Sequence, residues 1–291
     1  MEAPRRNLNR QKQRSRKTWV IIAAVLLVVI LAVVIPVAVV ISRRHHSTGL
    51  PSQILLPLYI YPLAGAWEPL YNTLNATTHL SYTIVINPDS GPGSSTTPNS
   101  DFLPAIQRLN TYPNAKTVGY VRTGYGNRSI DDVLQDVETY SAWATSATGI
   151  QMHGIFFDEA PYQYSAEILD YMTRCNEAVA SASGIGGNKT VIHNPGVIPD
   201  SQLMQDSTDI TVVFEQSWGN YSAQEPALKA LSGDRSRYGY MMHSVPSSTN
   251  LGNLVDDMSR NSAHLFVTNS DSDYYATFGS NWRSFTELVP T

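Results

Sequence analysis

Eight short runs rich in β-branched and aromatic residues recur along this chain from residue 54 onward, each followed by a polar or amphipathic stretch. They are ILLPLYIY (54–61), HLSYTIVIN (79–87), KTVGYVRT (116–123), HGIFFDE (153–159), TVIHN (190–194), DITVVFEQ (209–216), YGYMMHS (238–244) and HLFVTN (264–269). Gly, Pro, Asn or Asp bounds each run, which is how strands are punctuated. Between them WEPLYNTL, DFLPAIQRLNTY, SIDDVLQDVETYSAWAT, SAEILDYMTRCNEAVASA, SAQEPALKALS and NLGNLVDDMSR repeat apolar residues every three to four positions, the helical period. Ser129 caps the third of these, and Asp131 and Asp132 suit its positive end. Apolar strands alternating with helices imply a parallel sheet covered on both faces, and eight is the number that closes an α/β (β/α)8 TIM-type barrel. An open doubly wound sheet is the competing arrangement. NPDSGPGSSTTPNS (87–100) reads as a loop inside the domain, because the strand–helix rhythm resumes after it.

The first 50 residues obey different rules. Residues 1–18 form a basic tail with seven Lys or Arg, and residues 19–42 contain no charge at all. Those 24 residues exceed the roughly 30 Å hydrocarbon core of a bilayer at about 1.5 Å per residue, so a single transmembrane helix is expected. The run is too long for a cleaved signal, and Arg43 and Arg44 follow it where a small-residue cleavage site would stand. The basic excess before the helix puts the N-terminus in the cytosol. Residues 43–53 then read as a stalk and 54–291 as a domain outside the cell, a type II arrangement at the plasma membrane.

Nine of the 20 Lys and Arg, but only one of the 24 acids, lie before residue 45. The remainder of the chain carries 11 basic against 23 acidic groups, a net charge near −12 that excludes a nucleic-acid partner. Cys175 is the only cysteine, so no intrachain disulfide is available, and its place in a helical run marks it as a buried apolar residue. N-glycan acceptor sequences occur at Asn75, Asn127, Asn188 and Asn220, consistent with a domain on the secretory side.

Barrel active sites assemble at the C-terminal ends of strands. Those ends offer Tyr59, Tyr61, Asn87, Arg122, Asp158, Glu159, His193, Asn194, Glu215, Gln216, His243 and Asn269, with Asp271 and Asp273 beyond. Asp158 and Glu159 follow the buried run GIFF, and Glu215 follows VVF, an apolar setting that raises a carboxyl pKa. Glycoside hydrolysis needs two carboxyls about 5–5.5 Å apart for retention or about 6.5–9.5 Å for inversion, and ends of strands four and six can supply either. The plainer alternative is that these acids cap helices or pair with Arg122. Trp218, three residues past Glu215, is placed to stack on a sugar; the other tyrosines and tryptophans read mostly as core. His193, His243 and His264 lack zinc-ligand spacing, so no metal is expected. GIGGNKT (184–190) lacks the Gly-Lys of a phosphate loop, no GxSxG elbow occurs, and no cofactor is expected.

At ILLPLYIYP, FFDEAP, VIHNPG and FEQSW the chain resembles the spherulin-four family, the spherulation-specific proteins of slime moulds and fungi. The resemblance spans essentially residues 53–290 and includes fungal members with an N-terminal membrane segment. It implies a (β/α)8 fold and hydrolysis of galactosaminogalactan, a cell-wall and biofilm polymer of α-1,4-linked galactose and N-acetylgalactosamine. It also implies a site formed by the acids after strands four and six, which here are Asp158, Glu159 and Glu215. On that pattern Asp158 is the nucleophile, Glu215 the general acid/base, and Glu159 orients Asp158 or meets the substrate amide; Asp158 and Glu159 exchange roles in the alternative. The substrate-binding set is then Tyr59, Tyr61, Asn87, Arg122, His193, Asn194, Gln216, Trp218, His243 and Asn269. Competing functions are a carbohydrate-binding or coat protein using the same cleft, and a barrel glycosidase acting on another α-linked galactoside.

Overall fold

The computed structural model describes residues 48–291. Eight parallel strands pair in sequence order and β8 closes on β1, which excludes the open sheet. The strands are β1 (Gln53–Leu58), β2 (Tyr82–Ile86), β3 (Ala115–Arg122), β4 (Met152–Asp158), β5 (Ile185–Asn194), β6 (Ile210–Ser217), β7 (Tyr238–His243) and β8 (His264–Val267). Closure is made by Gln53 opposite His264 and Ile54 opposite Leu265. The helices are α1 (Glu68–Ala76), α2 (Phe102–Leu109), α3 (Ile130–Ser146), α4 (Ala166–Ser181), α5 (Trp218–Lys229), α6 (Leu251–Asn261) and α7 (Trp282–Leu288). The β5–β6 connection carries only a 3-10 turn, Ser201–Leu203, where the other strand pairs have an α-helix.

The strands are continuous apolar runs because both of their faces are covered, one by the barrel interior and one by the helices. All five residues of β2 are buried, as are five of the six in β1. Packing at β3 needs a residue with no side chain. A Cβ on Gly119 would stand 2.5 Å from the Tyr140 ring, whose hydroxyl reaches back to donate to the Ile86 carbonyl at 3.0 Å. Ser165 caps α4 by accepting from the Ile168 amide at 3.1 Å, as the sequence pattern favours. Ser129 stands at the N-cap of α3, but its hydroxyl makes no cap bond; Asp131 and Asp132 do occupy the first turn.

All eight expected strands and six expected helices are present. The seventh helix, α7, is not among the expected ones, although Trp282, Phe285 and Leu288 recur at the helical period. β5 begins at Ile185, earlier than expected, and so takes in GIGGNKT after its first glycine; the register against β4 shifts there between Met152 and Gly154. The expected basic tail, the expected transmembrane segment and the first part of the expected stalk lie outside the described residues. Among the described residues no helix is long and apolar enough to cross a membrane. Residues 48–52, expected as stalk, are tied to the barrel: Thr48 donates to Asp256 at 2.9 Å, Leu50 to Ser259 at 3.0 Å, and Ser52 to the Pro290 carbonyl at 2.8 Å. Cys175 is buried in α4. Asn75, Asn127, Asn188 and Asn220 are all exposed.

Candidate active site

At the C-terminal end of the barrel a cleft of about 730 Å³, counted out to open solvent, is lined by Asp158, Glu159, Asn194, Glu215 and Gln216 among others. Asp158 is the last residue of β4, Asn194 the last of β5, and Glu215 lies near the end of β6. Parallel pairing brings Asp158 level with Asn194. The Asn194 amide nitrogen donates to Asp158 Oδ1 at 2.7 Å and to Glu215 Oε2 at 2.5 Å. One nitrogen thus holds both acids, and the two legs limit the separation of those oxygens to at most 5.2 Å. Asn194 Oδ1 is buried without a hydrogen-bond partner among the described residues. Turning the amide over would set that oxygen against the Asp158 carboxylate and take the hydrogen bond from it, which favours the orientation found.

Each acid has a tyrosine on its other oxygen. Tyr120 donates to Asp158 Oδ2 at 2.8 Å, and Tyr275 donates to Glu215 Oε1 at 2.5 Å. Tyr59 stands between these tyrosines, edge-on to both, with ring centroids 5.5 Å from Tyr120 and 5.4 Å from Tyr275. Tyr120 and Tyr275 are not among the residues expected from the sequence. Tyr120 sits within the buried run VGYV of β3, and Tyr275 lies in the β8–α7 loop with no periodic pattern around it.

The electrostatics separate the two acids. Burial pushes the Glu215 carboxyl from its ordinary 4.5 up to about 7, with the neighbouring Asp158 charge adding to it and the Tyr275 and Asn194 hydrogen bonds opposing. Asp158 is also raised by burial, against the lowering effect of the Tyr120, Glu159-backbone and Asn194 hydrogen bonds. An acid that keeps a proton near neutral pH beside one more strongly supported as an anion is the pairing that acid–base and nucleophilic work requires. Burial and the nearby acids raise the Tyr59 hydroxyl well above its ordinary value, so it stays a neutral donor.

Glu159 points elsewhere. Its backbone takes a left-handed conformation, φ 48°, and its carbonyl accepts from Thr123 Oγ1 at 2.7 Å and from the Tyr125 amide at 2.6 Å. The turn sends its carboxylate to Arg122 Nε at 2.7 Å, an ion pair at the cleft edge. The pairing with Arg122 foreseen as the plainer alternative therefore holds for Glu159, and not for Asp158. Gly196, at φ 68°, lets the chain turn under the site, where its carbonyl accepts from the Glu215 amide at 3.0 Å.

Other expected residues divide. Gln216 lines the cleft and accepts from Gln224 at 2.7 Å; Trp218 is exposed at the start of α5. His243 stacks on Tyr274, centroids 4.0 Å apart, and Tyr274 itself lines the cleft. Tyr61 is exposed and donates to Asp101 at 2.7 Å. Asn87 accepts from the Gly91 amide and so shapes its own loop, and Asn269 is tied to Ser280 and Asn281. His193 is not brought to the cleft. Strand alternation turns it outward, where it is buried against Asn176 of α4 at 2.7 Å, and burial pulls its pKa down to about 3.

The sequence profile of spherulation-specific family 4 matches residues 53–289, the whole barrel. This chain belongs to spherulation-specific family 4. Spherulin-4 of Physarum polycephalum is 35% identical over 208 residues, which are 70% of this chain and 58% of that protein. The match thus spans under two thirds of that relative's length. Among solved structures, Aspergillus clavatus Sph3 in complex with GalNAc superposes with a TM-score of 0.81 at 37% identity, covering 84% of this chain and 99% of Sph3. The family's barrel is therefore what carries the Asp158–Asn194–Glu215 arrangement.

Proposed function

We propose that this family member is a retaining glycoside hydrolase that cleaves a polysaccharide containing α-1,4-linked N-acetylgalactosamine, of the galactosaminogalactan type found in fungal walls and biofilm matrices. The observation that carries the reading is the Asn194 bridge, which keeps one oxygen of Asp158 within 5.2 Å of one of Glu215. Carboxyls bridged this closely favour double displacement, which works at about 5–5.5 Å, over inversion, which needs about 6.5–9.5 Å to admit a water. The GalNAc bound to the similar Sph3 supports the sugar class.

In this mechanism protonated Glu215 gives its proton to the glycosidic oxygen as the C–O bond breaks. Asp158 attacks the anomeric carbon and forms a glycosyl ester. Glu215, now an anion, takes a proton from water as that water attacks the same carbon and releases Asp158. Tyr120 and Tyr275 hold the two carboxyls in place, and Glu159, steadied by Arg122, faces the substrate from the cleft edge. The anchor at residues 19–42, the extracellular placement at the plasma membrane and glycans on the four sequons belong to the same proposal.

The test is release of reducing ends from purified galactosaminogalactan by the full-length chain, beside Glu215→Gln. Release by the parent alone supports the hydrolase. Binding without release by either would move the assignment to a carbohydrate-binding or coat protein.

A further inference from the structure

Seven large apolar or aromatic side chains are exposed among the described residues, and their distribution is uneven. Tyr61, Leu63, Tyr125, Tyr162, Tyr164 and Trp218 all follow β1, β3, β4 or β6, at the barrel end that carries the carboxylates; Leu50, before β1, is the exception. Exposed apolar side chains gathered at one end of a domain, unlike ones scattered singly, are where ligands and partners are met. Tyr125 and Trp218 stand at or beside the cleft already described, but Tyr162 and Tyr164 do not contribute to its lining. They lie in the β4–α4 loop, and that loop is held rigidly. Asp200 donates its amide to the Tyr162 carbonyl and accepts from the Tyr164 amide, both at 2.8 Å. The β4–α4 loop is thereby laced to the β5–β6 loop, whose earlier residues Pro195, Gly196 and Val197 line the cleft.

We infer that Tyr162 and Tyr164 form a carbohydrate-binding shelf continuous with the cleft, which takes the apolar faces of sugar units several residues away from the scissile bond. The inference rests on the proposed polysaccharide substrate and adds to it where the chain lies on the barrel mouth. Tyrosine suits such a shelf because it offers a large rigid face and a hydroxyl, and it loses little conformational freedom on contact. The lacing through Asp200 fixes the backbone that carries both tyrosines, so the loop need not be ordered when the sugar arrives. A ligand of one sugar unit, seated at the carboxylates, would not reach them.

The experiment measures binding of N-acetylgalactosamine, of its α-1,4-linked disaccharide and of long oligomers to the full-length chain carrying Glu215→Gln, which stops turnover. The same ligands are offered to that chain with Tyr162→Ala and Tyr164→Ala added, and to one with Tyr162→Phe and Tyr164→Phe. The expected result is that affinity rises with oligomer length in the parent and in the Phe variant. The Ala variant loses roughly 5- to 50-fold for long oligomers, with little loss for the monosaccharide. Unchanged affinity for long oligomers, or an equal loss for every length, overturns the shelf. If the wild-type chain releases no reducing ends yet this length dependence persists, the hydrolase reading falls and the shelf stands; release without length dependence does the reverse.

Discussion

Tyr275 donates its hydroxyl hydrogen to Glu215 Oε1 at 2.5 Å across a separation of 60 positions in the chain. The bond lowers the pKa of a carboxyl that burial and Asp158 raise to about 7. Tyr275→Phe removes it while keeping the ring's packing against Tyr59 and Phe266. Glu215 then holds its proton to higher pH, and the alkaline limb of the pH–rate profile moves up by about half to one pH unit. A pH profile of polymer hydrolysis reads this directly; a limb that stays or moves down would show that Glu215 is not the proton donor.

Asn194→Ala takes a hydrogen bond from both acids at once. Each of those bonds lowers the pKa of its carboxyl, so both limbs of the profile move toward alkaline pH together. The rate falls by about 10²-fold as the acids lose their fixed separation. Loss of rate with an unmoved profile would reduce Asn194 to a packing role.

Removing the charge of Glu215 should stabilise the fold at high pH. The folded chain keeps this proton up to about pH 7, whereas the ordinary value is 4.5. Because the folded pKa is the higher one, stability is full below 4.5 and is lost as the pH rises through about 7. The interval corresponds to roughly 3 kcal/mol. Glu215→Gln therefore melts several degrees above the parent at pH 8, and the two converge near pH 4. The amide can still accept from Asn194, and its NH2 can donate to Tyr275. An offset in melting temperature equal at both pH values would count against this origin.

Glu159 and Arg122 form a partly exposed pair, so breaking it changes stability by less than about 1 kcal/mol. Glu159→Gln should leave melting nearly unchanged and alter hydrolysis through KM more than kcat, if the carboxylate meets bound sugar. A large fall in kcat at unchanged KM would instead assign it a part in the bond-breaking step.

Cys175 should be inert in the folded chain. It is buried in α4, and burial pushes its thiol up to about 12. A thiol reagent should label it only after denaturation; prompt labelling of the native chain would contradict the packing of α4.

The barrel is legible in the sequence because its strands are largely buried on both faces and so appear as short runs rich in apolar residues, eight in number. The β5–β6 connection shows no helical period, and no α-helix forms there. α7 is easily missed because it is only seven residues long and follows a polar loop, although Trp282, Phe285 and Leu288 repeat at helical spacing. The acids are visible as charges placed directly after apolar strands. Their partners are not. Tyr120 reads as one more buried aromatic in β3, and only the pairing of β3 with β4, with Arg122 opposite Asp158, places its hydroxyl beside Asp158. His193 and Asn194 are adjacent at one strand end, and sequence alone leaves both as candidates. The packing of Asn176 in α4 decides it, taking the histidine outward and leaving the asparagine to the acids.

The residue after Asn194 is Pro195. Asparagine ages chiefly when the next residue's amide nitrogen, freed of its hydrogen, closes on the side-chain carbonyl; proline has no such hydrogen, and that route is shut. Deamidation at this position would set a third carboxylate between two that are already crowded and destroy the bridge that separates them. The Asn-Pro pair therefore shuts the common deamidation route at the amide that bridges the two acids, a route left open where a surface asparagine such as Asn127 is followed by a residue with an amide hydrogen.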